Sequence, residues 1–238
     1  MSAVPEIEVK NLSKFFGKRK VLDRVSFSLD KGGFISLFGP NGAGKTTLIK
    51  IMSTLMAPSE GEIRLSGMDP RKDSAAIRAK IGLISHNPLL YMDLSAEENL
   101  RFYGDMYGVE ELDARINDLL DRVELTHRRY DLVRTFSKGM IQRLAIARAL
   151  LHMPSVLFLD EPHNGLDPNA VEIFENLLDG IRKDHTFIMV THNIERGLEL
   201  CSKAMILYNG RVVFHQDRAG FDADTFKETY RKHVRGDA

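Results

Sequence analysis

The stretch that decides the fold is Phe34-Ile35-Ser36-Leu37-Phe38, followed by Gly39-Pro40-Asn41-Gly42-Ala43-Gly44-Lys45-Thr46. Five residues suited to a buried strand run into eight that satisfy G-x-x-x-x-G-K-[ST], and a helix is predicted from 44 to about 56, stopped near Pro58. Glycines let backbone N–H groups turn inward around a phosphate, and the helix N-terminus adds its partial positive charge. Lys45 brings a full charge to the β and γ phosphates of a nucleotide, and the Thr46 hydroxyl is placed to ligate Mg²⁺. The candidate nucleotide-binding residues of this segment are Gly39, Pro40, Asn41, Gly42, Ala43, Gly44, Lys45, Thr46 and Thr47.

A second signal lies far downstream. Val156-Leu157-Phe158-Leu159-Asp160-Glu161 is an apolar strand that ends in two carboxylates. A buried parallel strand ending this way puts charge at the carboxyl edge of a sheet, where open α/β folds bind ligands. Asp160 is expected to hold Mg²⁺ through water, and Glu161 to orient and polarise an attacking water.

Around these two signals the chain alternates. Strands are predicted over 7–9, 25–29, 62–65 and 81–85. From Ser95 to about Ala149 the pattern is helical. Ser95-Ala96-Glu97-Glu98 is a capping box, and Leu112, Ile116, Leu119, Leu120 and Val123 form an apolar stripe. Strand–helix alternation then resumes: strand 156–159, helix 168–181, strand 186–190, helix to Leu200. Strands over 204–208 and 211–214 meet at Asn209-Gly210, a strong hairpin signal. A helical tail closes the chain. Apolar strands between helices imply an α/β fold with a mainly parallel sheet covered on both faces.

Composition sets limits. The chain has 238 residues, 43% hydrophobic and 28% charged, enough for one domain with an inserted subdomain. Lys+Arg and Asp+Glu each number 33, so no basic stripe marks a duplex-binding protein and no nucleic-acid partner is expected. The one cysteine, Cys201, rules out a disulfide framework within the chain and fits a reducing compartment. The first residues lack the pattern of a secretory signal, and no apolar run approaches the ~20 residues that span a bilayer. The chain reads as soluble, so a membrane role requires a partner.

Phe136-Ser137-Lys138-Gly139-Met140-Ile141-Gln142-Arg143 stands before a helix-prone run and just upstream of the Asp160-Glu161 strand. It resembles the ABC ATPase signature L-S-G-G-Q-x-Q-R, matching at Ser137, Gly139, Gln142 and Arg143 and departing at Phe136, Lys138 and Met140. Asn164-Gly165-Leu166-Asp167 looks like the D-loop of that family, and Thr191-His192 like its switch histidine. Phe16 falls where the family stacks an aromatic ring on adenine, with Phe15 a competitor. The motifs come in the family's order over nearly the whole chain.

The resemblance implies a P-loop NTPase with a mainly parallel RecA-like core, an N-terminal antiparallel β subdomain and an inserted helical subdomain. Residues 1–238 form a single nucleotide-binding domain on this reading. Residues 1–86 and 152–220 carry the core and β subdomain, 87–151 the helical subdomain, and 221–238 a C-terminal helical tail. Ser137, Gly139 and Asp167 of one copy face the ATP of another, and His192 stabilises the γ-phosphate in flight. Two copies therefore pack head to tail around two ATP, and closure drives transmembrane permease subunits from the inner, cytoplasmic face of the membrane. Where most of the family carries a glutamine that touches Mg²⁺, this chain has His86, with Asn87 beside it. Exposed Tyr91, Met92, Phe102, Tyr103, Met106 and Tyr107 are candidates to line a groove for the permease, the alternative for most of them being a place in the core of the insertion.

Three stretches are similar, more narrowly, to the ATPase subunit of the bacterial haem exporter of cytochrome c maturation. They are His86-Asn87-Pro88-Leu89-Leu90-Tyr91, Phe136-Ser137-Lys138-Gly139-Met140 and the run from His192 to Leu200. The alternatives are a soluble ABC ATPase, such as one serving iron–sulfur assembly, a P-loop kinase or GTPase, and a binding module without hydrolysis. A kinase or GTPase leaves the signature and switch histidine unexplained, and an intact Glu161 argues against the binding module.

Overall fold

Strand β3 (Phe34–Phe38), buried along its whole length, lies inside a six-stranded sheet. The order is β5 (Ile81–Ile84), β6 (Val156–Asp160), β7 (Thr186–Val190), β3, β8 (Lys203–Tyr208) and β9 (Arg211–Asp217). Strands β5 through β8 pair in parallel, and β9 pairs antiparallel with β8. The computed structural model describes residues 4–163 and 168–234.

The period-2 alternation of these strands feeds two cores. Phe34 and Phe38 of β3, with Leu157 and Leu159 of β6, enter a core shared with the helices α3 (Ala96–Tyr107), α4 (Leu112–Arg122), α5 (Lys138–Leu150) and α6 (Pro168–Ile181). Ile35 and Leu37, with Val156 and Phe158, enter the other core. That core also takes Leu48, Ile49, Ile51 and Met52 of α1 (Lys45–Met52). It is completed by a three-stranded antiparallel sheet of β2 (Arg19–Leu29), β1 (Ile7–Phe16) and β4 (Glu60–Leu65). Both faces of β3, β6 and β7 are covered, which is why these strands are apolar apart from Ser36, Asp160 and Thr186.

Expectation and structure part in identifiable places. Helix α1 ends at Met52, four residues before the expected stop, because Thr54 adopts φ +62° and the chain turns back with Leu55 N–H donating to Lys50 O (2.9 Å). Strand β2 begins at Arg19, six residues before the expected 25, the charges of Arg19, Lys20, Asp23 and Arg24 obscuring the alternation. Helix α2 (Ser74–Arg78) was not expected; five residues are too few to show a helical period. The capping box forms as read, Ser95 Oγ accepting from Glu98 N–H and Glu98 Oε2 from Ser95 N–H. Ile116, Leu119, Leu120 and Val123 are buried, as the stripe implies.

The expected hairpin forms with Asn209 at φ +47° and Gly210 at φ +77°, the two positive angles of a type I′ turn. Tyr91, Met92, Phe102 and Met106 are exposed, but Tyr103 and Tyr107 are half-buried, which corrects the groove expectation for these two toward the core alternative. Tyr103 donates its hydroxyl to Leu89 O (2.6 Å), and Tyr107 stacks on His152 with centroids 4.1 Å apart.

Candidate active site

The loop 39–44 crosses the carboxyl end of β3 under tight steric limits. Gly39 has φ +151°, and a Cβ there would lie 2.2 Å from Leu207 O of β8. Gly44 has φ +106°, and its Cβ would lie 2.8 Å from Val21 O. Neither position accepts a side chain. The loop is also held from outside: Gly210 N–H donates to Ala43 O (3.1 Å), while Asp23 N–H donates to Gly210 O (2.9 Å).

Lys45, 7% exposed, bends back over the loop and donates to Gly39 O (2.7 Å) and Pro40 O (3.0 Å). Burial pushes its ammonium below the ordinary lysine value, against the opposing pull of Glu161 and Asp160. Asp160, 8% exposed at the end of β6, shows the converse: burial raises its carboxyl, while a hydrogen bond from the Thr46 hydroxyl and the charge of Lys45 act the other way. A buried cation resting on neutral carbonyls beside a buried carboxylate is the arrangement of a site that a charged ligand completes. Thr46 and Asp160 together offer hydroxyl and carboxylate oxygens, a hard-cation donor set.

Glu161 follows Asp160 in the left-handed region, φ +52°, with its N–H donating to Val190 O (3.0 Å). This turn aims its carboxylate between two cavities. One, about 550 Å³, is lined by Phe16, Arg19, Val21, Asn41, Gly42, Gly44, Lys45, Thr46, Thr47 and Glu161. The other holds His192, whose Nδ1 lies 3.7 Å from Glu161 Oε2. Phe16, 48% exposed, lines the larger cavity with Lys14 Nζ 5.3 Å from its ring centroid; Phe15 is half-buried outside that lining.

Other expected site residues lie elsewhere. Ser137 caps α5, its Oγ accepting from Met140 N–H (3.2 Å), with Lys138 exposed and Gly139 buried in the first turn. Neither Ser137 nor Gly139 lines the larger cavity of its own chain. His86 is exposed on the loop after β5 and the structure does not bring it into that cavity, nor Asn87. Asp167 lies outside the described residues. Arg19 and Val21 were missed by the sequence reading; the signal was the tight Gly17-Lys18 turn, which pairs Arg19 with Phe16. Among the described residues no helix is long and apolar enough to cross a membrane.

With this geometry in view, the likenesses are informative. The ABC transporter family model matches residues 22–164. Two curated relatives are the linearmycin resistance ATP-binding protein LnrL of Bacillus subtilis and the lantibiotic transport ATP-binding protein SrtF of Streptococcus pyogenes. LnrL is 37% identical over 87% of this chain and 68% of its own length, and SrtF 34% identical over 96% and 97%. Among solved structures, the dimeric post-hydrolysis state of the ATP-binding cassette MJ0796 with ADP and Pi superposes with a TM-score of 0.82. It is 28% identical, covering 90% of this chain and 100% of that one. The fold is that of the P-loop ABC ATPase domains, and the chain belongs to the ABC transporter family as an ATPase subunit.

Proposed function

We propose that this chain hydrolyses ATP to power the export of a small molecule or peptide through separate transmembrane permease subunits, to which it docks peripherally on the inner membrane face. The observation that carries the reading is the convergence of Lys45, Thr46 and Glu161 on the cavity that also holds Phe16, with Asp160 hydrogen-bonded to Thr46 behind it. In this reading Phe16 stacks on the adenine, and the N–H groups of 41–46 with Lys45 bind the phosphates. Thr46 and Asp160 fit Mg²⁺, which when bound with ATP neutralises charge on the β and γ phosphates. Glu161 accepts a proton from the attacking water, and His192 donates to the γ-phosphate as charge shifts onto the leaving oxygen.

Ser137 and the first N–H groups of α5 form a phosphate-binding tip remote from their own chain's cavity, so a second copy supplies the phosphate and Asp167 couples the two sites. The dimeric cassette MJ0796 supports that arrangement. His86 or Asn87 enters the metal's surroundings only if the loop after β5 moves on closure. Residues 87–151 are the proposed face toward the permease, with Tyr91, Met92, Phe102 and Met106 exposed on it.

Export is supported by LnrL and SrtF, described as serving linearmycin resistance and lantibiotic transport. The haem-exporter likeness of three short stretches draws no support from these relatives, and neither does iron–sulfur assembly. The test is Glu161→Gln. With Mg–ATP it should elute as a dimer and turn over about 10²–10⁴-fold more slowly, the range for loss of a general base. Normal turnover would contradict the role given to Glu161, and a monomer at high concentration beside the permease would contradict head-to-tail pairing.

A further inference from the structure

Glu161 is a wall shared by two cavities. The second, about 280 Å³, lies away from the phosphate loop and is lined by Glu161, His163, Glu175, Thr191, His192 and Arg196 among others. His163 stands two residues after Glu161. Its ring meets the fully buried Phe174 edge-on, with centroids 5.2 Å apart and planes at 80°. Its buried Nε2 has no hydrogen-bond partner among the described residues and lies 3.7 Å from Glu175 Oε1.

Glu175 of α6 is already engaged. Arg196 of α7 (Ile194–Leu200) donates from Nε to Oε1 (2.6 Å) and pairs through Nη2 with Oε2 (2.5 Å). Arg196 N–H donates in turn to Asn193 Oδ1 (3.0 Å), the cap of α7, and Asn193 N–H donates to Thr191 Oγ1 (3.1 Å). Between Thr191 and Asn193 stands His192, facing Glu161. A continuous set of contacts thus runs from His163 to the turn that presents His192.

We infer that His163 is a positioning residue for ATP hydrolysis: as a neutral ring wedged between Phe174 and the Glu175–Arg196 pair, it holds the His192 turn opposite Glu161. This rests on the roles given above to Glu161 and His192. The charged and titratable groups facing His163 are Glu161 from its own loop, Glu175 from α6, His192 from the β7–α7 turn and Arg196 from α7. Burial lowers its affinity for a proton below the ordinary imidazole value, and Arg196 and His192 act with burial against the opposing Glu175. The ring therefore takes a proton only in more acid solution than an ordinary imidazole does. Once charged, it competes with Arg196 for Glu175 Oε1 and repels Arg196, so the clamp on the His192 turn loosens. ATP binding, made in the other cavity, is spared.

The experiment is steady-state Mg–ATP hydrolysis by the full chain from about pH 5 to 8.5, comparing wild type, His163→Ala and His163→Gln. His163→Ala should lower kcat about tenfold at pH 8 and change KM for ATP by less than about twofold. His163→Gln, neutral at every pH and able to offer a polar atom near the Nε2 position, should restore kcat at pH 8 to within about threefold of wild type. It should also lack part of the acid decline, so its rate relative to wild type rises as pH falls. A His163→Gln profile parallel to that of wild type, or an Ala variant that alters KM and kcat equally, overturns the proposal; thermal melts establish that each variant is folded. A folded wild type that does not hydrolyse ATP refutes the parent reading, whereas an active wild type with a parallel His163→Gln profile refutes only the role of His163.

Discussion

Replacing Gly39 by alanine tests the cradle through its most crowded atom. The new Cβ would lie 2.2 Å from Leu207 O, and real Cβ contacts are essentially never below 3.0 Å, so something must move by about 0.8 Å. Leu207 is a β8 residue paired with Val212 of β9, so its carbonyl cannot swing aside as a side chain would. Forcing a side chain into a glycine-only region costs about 1–3 kcal/mol, and overpacking a dense interior about as much again. The sum centres near 4 kcal/mol, a fall in Tm of about 8–16 °C for a domain of this size. Gly42→Ala is the control, because its φ is +80° but its Cβ meets nothing within 4 Å. It bears only the backbone strain of about 1–2 kcal/mol, or about 2–8 °C. Thermal denaturation followed by circular dichroism without nucleotide separates the two. If both variants melted within about 2 °C of each other, the steric reasoning would be refuted.

Lys45→Ala should weaken ATP binding at least about tenfold, since charged hydrogen bonds contribute about 1.5–3 kcal/mol, and calorimetric titration giving unchanged affinity would remove Lys45 from the site. Asp23 is held at a pKa of about 2 by hydrogen bonds from Lys20 and Arg211, so its stabilising effect is present above the ordinary 3.8 and is lost as pH falls toward 2. The stability difference between wild type and Asp23→Asn in urea should therefore be flat from neutral pH to about 4 and narrow below it; a constant difference below pH 4 contradicts the assignment. Ser95→Ala breaks the capping box of α3 and should cost about 1 kcal/mol, read as a Tm lower by about 2–4 °C; an unchanged Tm would mean that the cap contributes nothing.

What the sequence disclosed follows how local each feature is. Gly39 to Thr46 and the Asp160-Glu161 strand end each carry their chemistry in a few contiguous residues, and so did the Asn209-Gly210 turn. The meeting of Glu161 with His192 was legible only through motif order, because it depends on β6 and β7 being neighbours in the sheet. Arg19 stayed hidden because its strand is rich in exposed charge. The Glu175–Arg196 pair and His163 were beyond reach, since three separate elements build that cluster and none has a pattern of its own. Tyr107 misled because an aromatic residue on a polar helix looks exposed until His152 is found against it.

Gly210 takes its place between Ala43 and Asp23, outside the lining of the cavity that holds Lys45. These two hydrogen bonds fasten the β-hairpin tip to the phosphate loop on one side and to the antiparallel sheet on the other. The ordering entropy of the loop is thereby spent during folding, and an arriving triphosphate meets donors already in place. Affinity for ATP in this chain should accordingly respond to substitutions at a hairpin tip outside the cavity lining.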